Sequence, residues 1–263
     1  MYDSLGKYGL LCLSALAAGI INSVAGGGTL LTFPALLAAL GPGGEVLANT
    51  TSTVALVPGS LAGVGGYWRE MQQSRHWVKL LIGPCLIGGL VGGLLLTRLP
   101  TEWFAELVPW LILTAATLFL LQPAISRWID IGGSHHPTLI SKIGLVIFQF
   151  FVAVYGGYFG AGIGILMISS LSLMGIGDIH RINALKTFLA FCINGITVVV
   201  FIVQDQVIWH YAVAMMGFAI LGGYVGAHTA RRMDRDVVRW IVVAIGFGLA
   251  FYYFYTQYFQ TRV

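Results

Sequence analysis

The sequence predicts an all-α polytopic integral membrane protein of two inverted-topology repeats, each with a glycine-broken helix pair and three transmembrane helices. Three observations predict this fold class: the composition, an internal repeat and the distribution of the basic residues. Of the 263 residues, 57% are hydrophobic and 9% are charged, with a mean hydropathy of +0.86. Soluble domains carry about 25% charged residues. A helix needs about 20 apolar residues to cross a hydrocarbon core, and such runs leave no room for a soluble catalytic domain.

Apolar segments follow one another along the chain, separated by short polar turns. They span residues 5–40, 46–68, 77–97, 103–121, 141–176, 182–203, 209–229 and 236–257. The first and the fifth hold about 35 residues each and are interrupted by glycines, at Gly26–Gly28 and at Gly160 and Gly162. Each is predicted to form either two short tilted crossings or one re-entrant hairpin, which gives 8 to 10 membrane segments. We favour the tilted crossings, because 35 residues at 1.5 Å per residue reach about 52 Å.

The chain aligns with itself at an offset of 134 residues without a gap, which indicates an internal repeat. The matched pairs include Gly26 and Gly160, Gly28 and Gly162, Asn49 and Asn183, Thr53 and Thr187, Gly88 and Gly222, Gly92 and Gly226, and Arg98 and Arg232. The predicted repeats are residues 1–130 and 131–263, which together form one membrane domain. The paired glycines at 88, 92, 222 and 226 are predicted to be close helix contacts.

The basic residues predict that the second repeat is inverted. Short cytoplasmic loops are enriched in Lys and Arg. If each broken segment enters and leaves on one side, only Lys7, Arg98 and Arg262 lie outside, whereas single crossings divide the basic residues equally. The eleven cytoplasmic residues are then Arg69, Arg75, Lys79, Arg127, Lys142, Arg181, Lys186, Arg231, Arg232, Arg235 and Arg239. The protein is therefore predicted to span the plasma membrane many times, with both termini on the non-cytoplasmic side.

The broken segments predict a binding site for a small anion. A helix broken inside the bilayer must face protein or a wet cavity, and the amides at the start of its second half carry partial positive charge. Asn, Ser and Thr side chains nearby add uncharged donors. Lys186 either projects into the membrane interior as a functional group or extends to the cytoplasmic interface. The predicted site residues are Gly26, Gly27, Gly28, Thr29, Asn49, Ser52, Thr53, Gly160, Gly162, Asn183, Lys186 and Thr187.

Several of these residues also carry a family resemblance. Ala18-Gly19, the run Gly26–Gly28, Pro34 and the later stretch GGYFGAGIG resemble the TauE/SafE family of sulfite exporters, over nearly the whole chain. The resemblance implies a secondary transporter that exports sulfite or small organosulfonates across the bacterial inner membrane. The second repeat departs from three consecutive glycines, because Ala161 and Ile163 are interposed, and its half of the site is predicted to be narrower.

The acidic residues, the enzyme motifs and the cysteines and histidines predict which mechanisms and ligands the protein lacks. Every carboxylate falls in a turn or at a segment end, which favours electrogenic export without a proton relay through Asp or Glu. An importer or channel for a related anion such as thiosulfate is the alternative, and an intramembrane hydrolase is disfavoured because neither G-x-S-x-G nor H-E-x-x-H occurs. No cofactor, metal, nucleic acid or disulfide is predicted, since Cys12, Cys85 and Cys192 lie far apart and His135-His136 lacks further ligands. The expected partners are the lipid bilayer and the anion, and the protein is either a monomer or a homodimer.

Overall fold

The computed structural model describes residues 2–24, 26–131, 139–174, 176, 179–229 and 235–260, and the elements in these ranges are helices. His135, His136, Arg231, Arg232 and Arg262 lie outside the described residues. The helices are α1 (Tyr2–Val24), α2 (Thr29–Leu40), α3 (Glu45–Gly66), α4 (Trp68–Gln73), α5 (Arg75–Arg98), α6 (Thr101–Ile131), α7 (Leu139–Tyr158), α8 (Ile163–Leu173), α9 (Ile179–Val203), α10 (Trp209–Thr229) and α11 (Arg235–Tyr255), followed by a π-helical turn, Thr256–Gln260.

Within the described ranges, four helical stretches are long and apolar enough to cross a membrane: Arg75–Arg98, Thr101–Ala124, His180–Val203 and Val237–Tyr258. Shorter apolar helices, Thr29–Leu40, Ile143–Tyr158 and Ile163–Leu173, occur among them. Large apolar side chains such as Leu13 and Phe251 are exposed on the outside of the bundle, as expected where lipid is the solvent. The predicted all-α polytopic membrane fold is confirmed.

Helix boundaries recur along the chain at a constant spacing. The starts of α2, α3, α5 and α6, at residues 29, 45, 75 and 101, recur at 163, 179, 209 and 235. The breaks also correspond, because α1 ends at residue 24 and α7 at residue 158. Every one of these pairs is separated by the offset of 134 residues read from the sequence. The division into repeats at residues 1–130 and 131–263 stays a prediction, which this spacing supports.

Both broken segments fold back on themselves. In the first, the Lys7 ammonium near the start of α1 donates to the Ala39 carbonyl at the end of α2, over 3.4 Å. In the second, the Ser170 hydroxyl on α8 donates to Gln149 on α7, over 2.6 Å. Each segment therefore enters and leaves on one side. The two arms are unequal, because the 23 residues of α1 and the 12 of α2 extend about 34 Å and 18 Å. Whether each pair of arms makes two short crossings or one re-entrant hairpin stays a prediction.

Contacts between helix ends define two faces of the bundle. The Thr50 hydroxyl near the start of α3 donates to the Gln206 carbonyl, and the Ile208 amide donates to the Thr51 hydroxyl over 3.1 Å. We call this the upper face; it contains residues 41–44 and 204–208. Since α3 crosses the bundle, residues 67–74 lie at the opposite, lower face.

Glycines allow parallel helices from the two predicted repeats to pack closely. On α5, a Cβ added at Gly92 would come within 3.0 Å of the α7 backbone at Val154 and Tyr158; on α10, one added at Gly226 would lie 2.8 Å from Ile20 Cα of α1. These contacts confirm the predicted close approach. Because α5 starts at the lower face and α7 runs parallel to it, the second broken segment enters from the lower face and the first from the upper. This geometry supports the predicted inversion.

Basic side chains concentrate at the lower face. Arg69 lies on α4, Arg75 begins α5 and Arg181 lies in the first turn of α9, all at this face. Lys7 and Arg98, at the start of α1 and the end of α5, lie at the upper face. The lower face is therefore the one that the positive-inside rule assigns to the cytoplasm, and this orientation stays a prediction.

Candidate functional site

The two helix breaks meet in the middle of the bundle. A Cβ added at Gly26 would lie 3.6 Å from the Cα of Gly164, and one added at Gly160 would lie 4.0 Å from the Thr29 hydroxyl. Gly26 and Gly160 both have positive φ, 74° and 84°, a conformation that residues with a Cβ rarely adopt. The sequence therefore turns at equivalent positions, and α2 and α8 begin beside each other.

At the first break, a side chain binds the backbone. The Asn22 Oδ1 atom, near the end of α1, accepts hydrogen bonds from the amides of Gly27 and Gly28, at 3.0 and 2.8 Å. The Gly28 amide is therefore occupied, whereas the amides predicted to bind an anion are those that follow Gly28. In the described part of the chain, the Thr29 amide has no protein acceptor, so it is the first α2 donor left for a ligand.

At the second break, a side chain binds a carbonyl instead. The Tyr155 hydroxyl donates to the Ala161 carbonyl over 2.7 Å. Gly164, in the first turn of α8, has an amide for which no acceptor is found among the described residues. Positive partial charge at the start of a helix favours an anion. The second break therefore retains a backbone donor that faces the first break.

A cavity of about 360 Å³ lies at the junction of the breaks. It extends from mid-depth to the lower face, where Tyr67, Glu70 and His180 line it. The other lining residues come from both predicted repeats: Asn22, Ser23, Gly26, Gly27, Thr29, Thr53, Leu56, Gly59, Ser60, Gly160, Ile163, Gly164, Lys186, Thr187, Ala190 and Asn194. A small polar solute can therefore reach the breaks from the lower face.

Lys186 brings a cationic side chain to this cavity. It lies in the third turn of α9 and is only 6% exposed, yet it lines the cavity. A buried cation inside a membrane is costly and usually functional. Its burial beside the cavity is compatible with the first reading of this residue, a functional group in the membrane interior, which stays a prediction. The lysine makes the surroundings of the cavity favourable to a negative solute.

Hydroxyl groups on α3 and α9 line opposite walls. Thr53 donates to the Asn49 carbonyl over 2.9 Å, and Thr187 donates to the Asn183 carbonyl over 2.8 Å. Such bonds to the preceding turn use the hydroxyl proton. In this state Thr53 and Thr187 therefore present acceptor lone pairs to the cavity. An anion would have to redirect their protons in order to bind there.

Of the twelve predicted site residues, seven line the cavity and five do not. Those that line it are Gly26, Gly27, Thr29, Thr53, Gly160, Lys186 and Thr187; those that do not are Gly28, Asn49, Ser52, Gly162 and Asn183. Ser52 is fully buried and hydrogen-bonded to Thr32. Asn49 is 1% exposed and donates through Nδ2 to the Tyr158 carbonyl over 3.1 Å, so it holds the end of α7.

Sequence reasoning missed Asn22, Ser60, Gly164 and Asn194, which all line the cavity. Asn22 stands four residues before the first glycine run, and the polar pair Asn22-Ser23 in an apolar stretch was the available signal. For Asn194 and Ser60 the internal repeat carried a signal, because they occupy equivalent positions at the offset of 134 residues.

Aromatic rings lie between the second break and the upper face. Phe33, Phe104 and Phe159 are fully buried, and their ring centroids are 5.7 to 6.3 Å apart. Tyr158 packs on Phe104 at 5.5 Å. Phe33 meets Phe104 and Phe159 edge to face, as Tyr158 meets Phe104, and such contacts are favourable packing. The cavity lining contains none of these rings, so the apolar layer separates it from the upper face.

Comparison with known proteins agrees with this architecture. The family profile described as "Sulfite exporter TauE/SafE" matches residues 11–253. A "Probable membrane transporter protein" of Haemophilus influenzae is 26% identical over 94% of both chains. "Probable membrane transporter protein ORF9" of a Sinorhizobium species is 27% identical over 91% of this chain and 89% of its own, and "Probable membrane transporter protein YfcA" of Escherichia coli K12 is 26% identical over 90% and 86%. No solved structure matches significantly. The chain is a membrane transporter that belongs to the TauE/SafE family.

Proposed function

We propose that this protein exports small sulfur-containing anions, sulfite or organosulfonates, from the cytoplasm across the bacterial inner membrane. The meeting of the two helix breaks at a cavity lined by Lys186 carries the proposal. Sulfite presents three oxygen acceptors, and the residues that line the cavity include three with candidate donors, the amides of Thr29 and Gly164 and the ammonium of Lys186. The family's description as sulfite exporters supports the substrate class.

The position of the cavity supports export over uptake. It extends to the lower face, where Arg69, Arg75 and Arg181 lie. Basic residues mark the cytoplasmic side and raise the local anion concentration. An anion would therefore load from the cytoplasm, and its release requires the aromatic layer around Phe104 to separate, as in alternating access between inverted repeats.

The membrane potential supplies the driving force in this proposal. Outward movement of one negative charge is favourable by roughly 2.3 kcal/mol per 100 mV, inside negative. In the described ranges, Glu70 is the one carboxylate residue that lines the cavity, and it lies at the mouth. The binding region around the breaks is lined by uncharged donors and Lys186, which suits a carrier that moves the anion without proton exchange.

Flux of radiolabelled sulfite in proteoliposomes tests the function. We expect saturable flux that increases with an imposed potential and is reduced by an organosulfonate competitor, with protein-free vesicles as the control. Flux that follows a pH gradient and ignores voltage would contradict the electrogenic mechanism. If sulfite is not transported and thiosulfate is, thiosulfate replaces sulfite as the proposed substrate. If the anion moves from the non-cytoplasmic to the cytoplasmic side under a potential that is negative inside, the protein is an importer.

A further inference from the structure

Asn22 occupies a position that the family resemblance does not point to, at the end of α1 and on the wall of the cavity. Both protons that its Oδ1 atom accepts come from the backbone of the first break, from Gly27 at 3.0 Å and Gly28 at 2.8 Å. A side-chain amide has an acceptor end and a donor end. Because the acceptor end is fixed by two bonds, the orientation of the whole amide group is fixed.

The Nδ2 atom of Asn22, the donor end of its amide group, is available to a ligand. Among the described residues, no acceptor lies within hydrogen-bonding distance of Nδ2. The side chain is half-buried and lines the same cavity as Lys186 and Thr29. A preoriented pair of N–H donors in such a cavity loses little conformational freedom when it binds a ligand.

We propose that Asn22 is a substrate-binding residue whose Nδ2 donates to the transported oxyanion while its Oδ1 holds the Gly27–Gly28 turn. This inference rests on the proposed function, because it assumes that the cavity binds an anion. It adds a side-chain donor beside the Thr29 amide at the first break, where the Gly27 and Gly28 amides are occupied. The equivalent position of the second repeat is Gly156, where a Cβ would clash with Ile163, so only one repeat has this donor.

The substitution Asn22→Asp separates the two roles. A carboxylate accepts the same two amide bonds and has nearly the same shape, so the turn keeps its support. It replaces the two donors with a negatively charged oxygen, which repels an anion. Asn22→Ala removes both roles. Gln73→Glu is the matched control, because it adds the same charge at an exposed position of α4.

Equilibrium binding of sulfite to the purified protein in detergent, with thermal unfolding of each variant, tests the inference. We expect Asn22→Asp to unfold within a few degrees of wild type and to bind sulfite at least 10-fold more weakly, about the loss of one hydrogen bond to a charged group. Asn22→Ala should bind weakly and also unfold at a lower temperature. Gln73→Glu should behave as wild type.

The outcomes distinguish this inference from the function on which it rests. If wild type binds sulfite and Asn22→Asp binds it equally well, the donor role of Asn22 is wrong and the proposed function stands. If wild type binds neither sulfite nor an organosulfonate, the proposed function fails and the inference fails with it. If Asn22→Asp does not fold, Asn22→Ala supplies the test, because alanine has no side-chain donor, and wild-type sulfite affinity in that variant would overturn the inference.

Discussion

At the first helix break the Asn22 side chain accepts two backbone amides, whereas at the second the Tyr155 hydroxyl donates to the Ala161 carbonyl. The two breaks are thus stabilised by side chains of opposite hydrogen-bonding character. At the first break the Gly27 and Gly28 amides are already hydrogen-bonded, and the Asn22 side chain offers N–H donors to the cavity. At the second break a carbonyl is hydrogen-bonded, and the Gly164 amide is left as a donor. Both solutions present N–H groups to one cavity, which suggests that donors to an anion are the feature required of each break.

The backbone differs as well. Positive φ occurs at Gly26 and Gly27 in the first break, but at Gly160 and Gly162 in the second. Gly27 corresponds to Ala161, which is not among the described residues with positive φ. This explains why the second repeat tolerates an alanine between its glycines. Ala161 is fully buried and does not line the cavity. Its side chain therefore gives no measure of the width of the second half of the site, and the predicted narrowing stays a prediction.

The largest expected effect comes from Gly27→Ala. Its φ is 112°, and an added Cβ would lie within 3.0 Å of the Phe119 ring. The backbone strain alone costs about 1–3 kcal/mol, and displacement of the ring adds to it. We expect a lower unfolding temperature and loss of nearly all flux. Ala161→Gly is the control at the equivalent position and should reduce stability by about 1 kcal/mol or less. Equal losses of stability and flux in the two variants would contradict the proposed difference between the two breaks.

Removal of the cavity cation should have the next largest effect, which is expected on sulfite binding. In Lys186→Gln the charge is lost while a donor remains, and a hydrogen bond to a charged group contributes about 1.5–3 kcal/mol. We expect sulfite affinity to fall at least 10-fold, measured by equilibrium binding. Lys79→Gln removes an exposed charge on α5 and should change affinity little. Equal losses of sulfite affinity in the two variants would indicate that positive charge attracts the anion in general, without a specific contact to Lys186.

The support at the second break should matter less. Tyr155→Phe removes the hydroxyl that satisfies the Ala161 carbonyl, and an unsatisfied buried carbonyl costs about 1–3 kcal/mol. We expect a lower unfolding temperature and a moderate loss of flux at unchanged sulfite affinity. A large loss of affinity with unchanged stability would place the Tyr155 hydroxyl in the binding site instead.

The smallest effects are expected from the threonines. Thr53→Val and Thr187→Val keep the side-chain shape, and both hydroxyls already donate within their own helices. We expect each to reduce sulfite affinity less than about 3-fold, because a neutral hydrogen bond contributes roughly 1 kcal/mol or less. Ser52→Ala should leave affinity unchanged and lower stability, since Ser52 pairs with Thr32 inside the protein. A 10-fold loss in Thr53→Val would show that its proton is redirected to the anion.

Much of the fold could be predicted because apolar run length and glycine position are local properties of the sequence. The broken segments and the close contacts at Gly92 and Gly226 came from such patterns. The number of full membrane crossings did not, because the reach of a 12-residue arm such as α2 depends on how the helices pack and tilt in the bilayer.

The site was harder to predict because one helix face meets different neighbours along its length. Asn49 and Thr53 share a face of α3, but Asn49 meets the end of α7 while Thr53 meets the cavity. Asn22 was missed because its contact with the Gly27 and Gly28 amides depends on how the chain turns at the break. Only the packing of the helices shows which polar groups are satisfied internally.

The location of a bound oxyanion is the most direct test of the junction of the two breaks. Selenite has the shape and charge of sulfite, and selenium scatters anomalously, so crystals of the full chain grown with selenite would report its position. We expect an anomalous selenium peak in the cavity between Asn22 and Lys186. If selenium fully occupies sites at the basic lower face and no peak appears beside the breaks, the proposed binding site is contradicted.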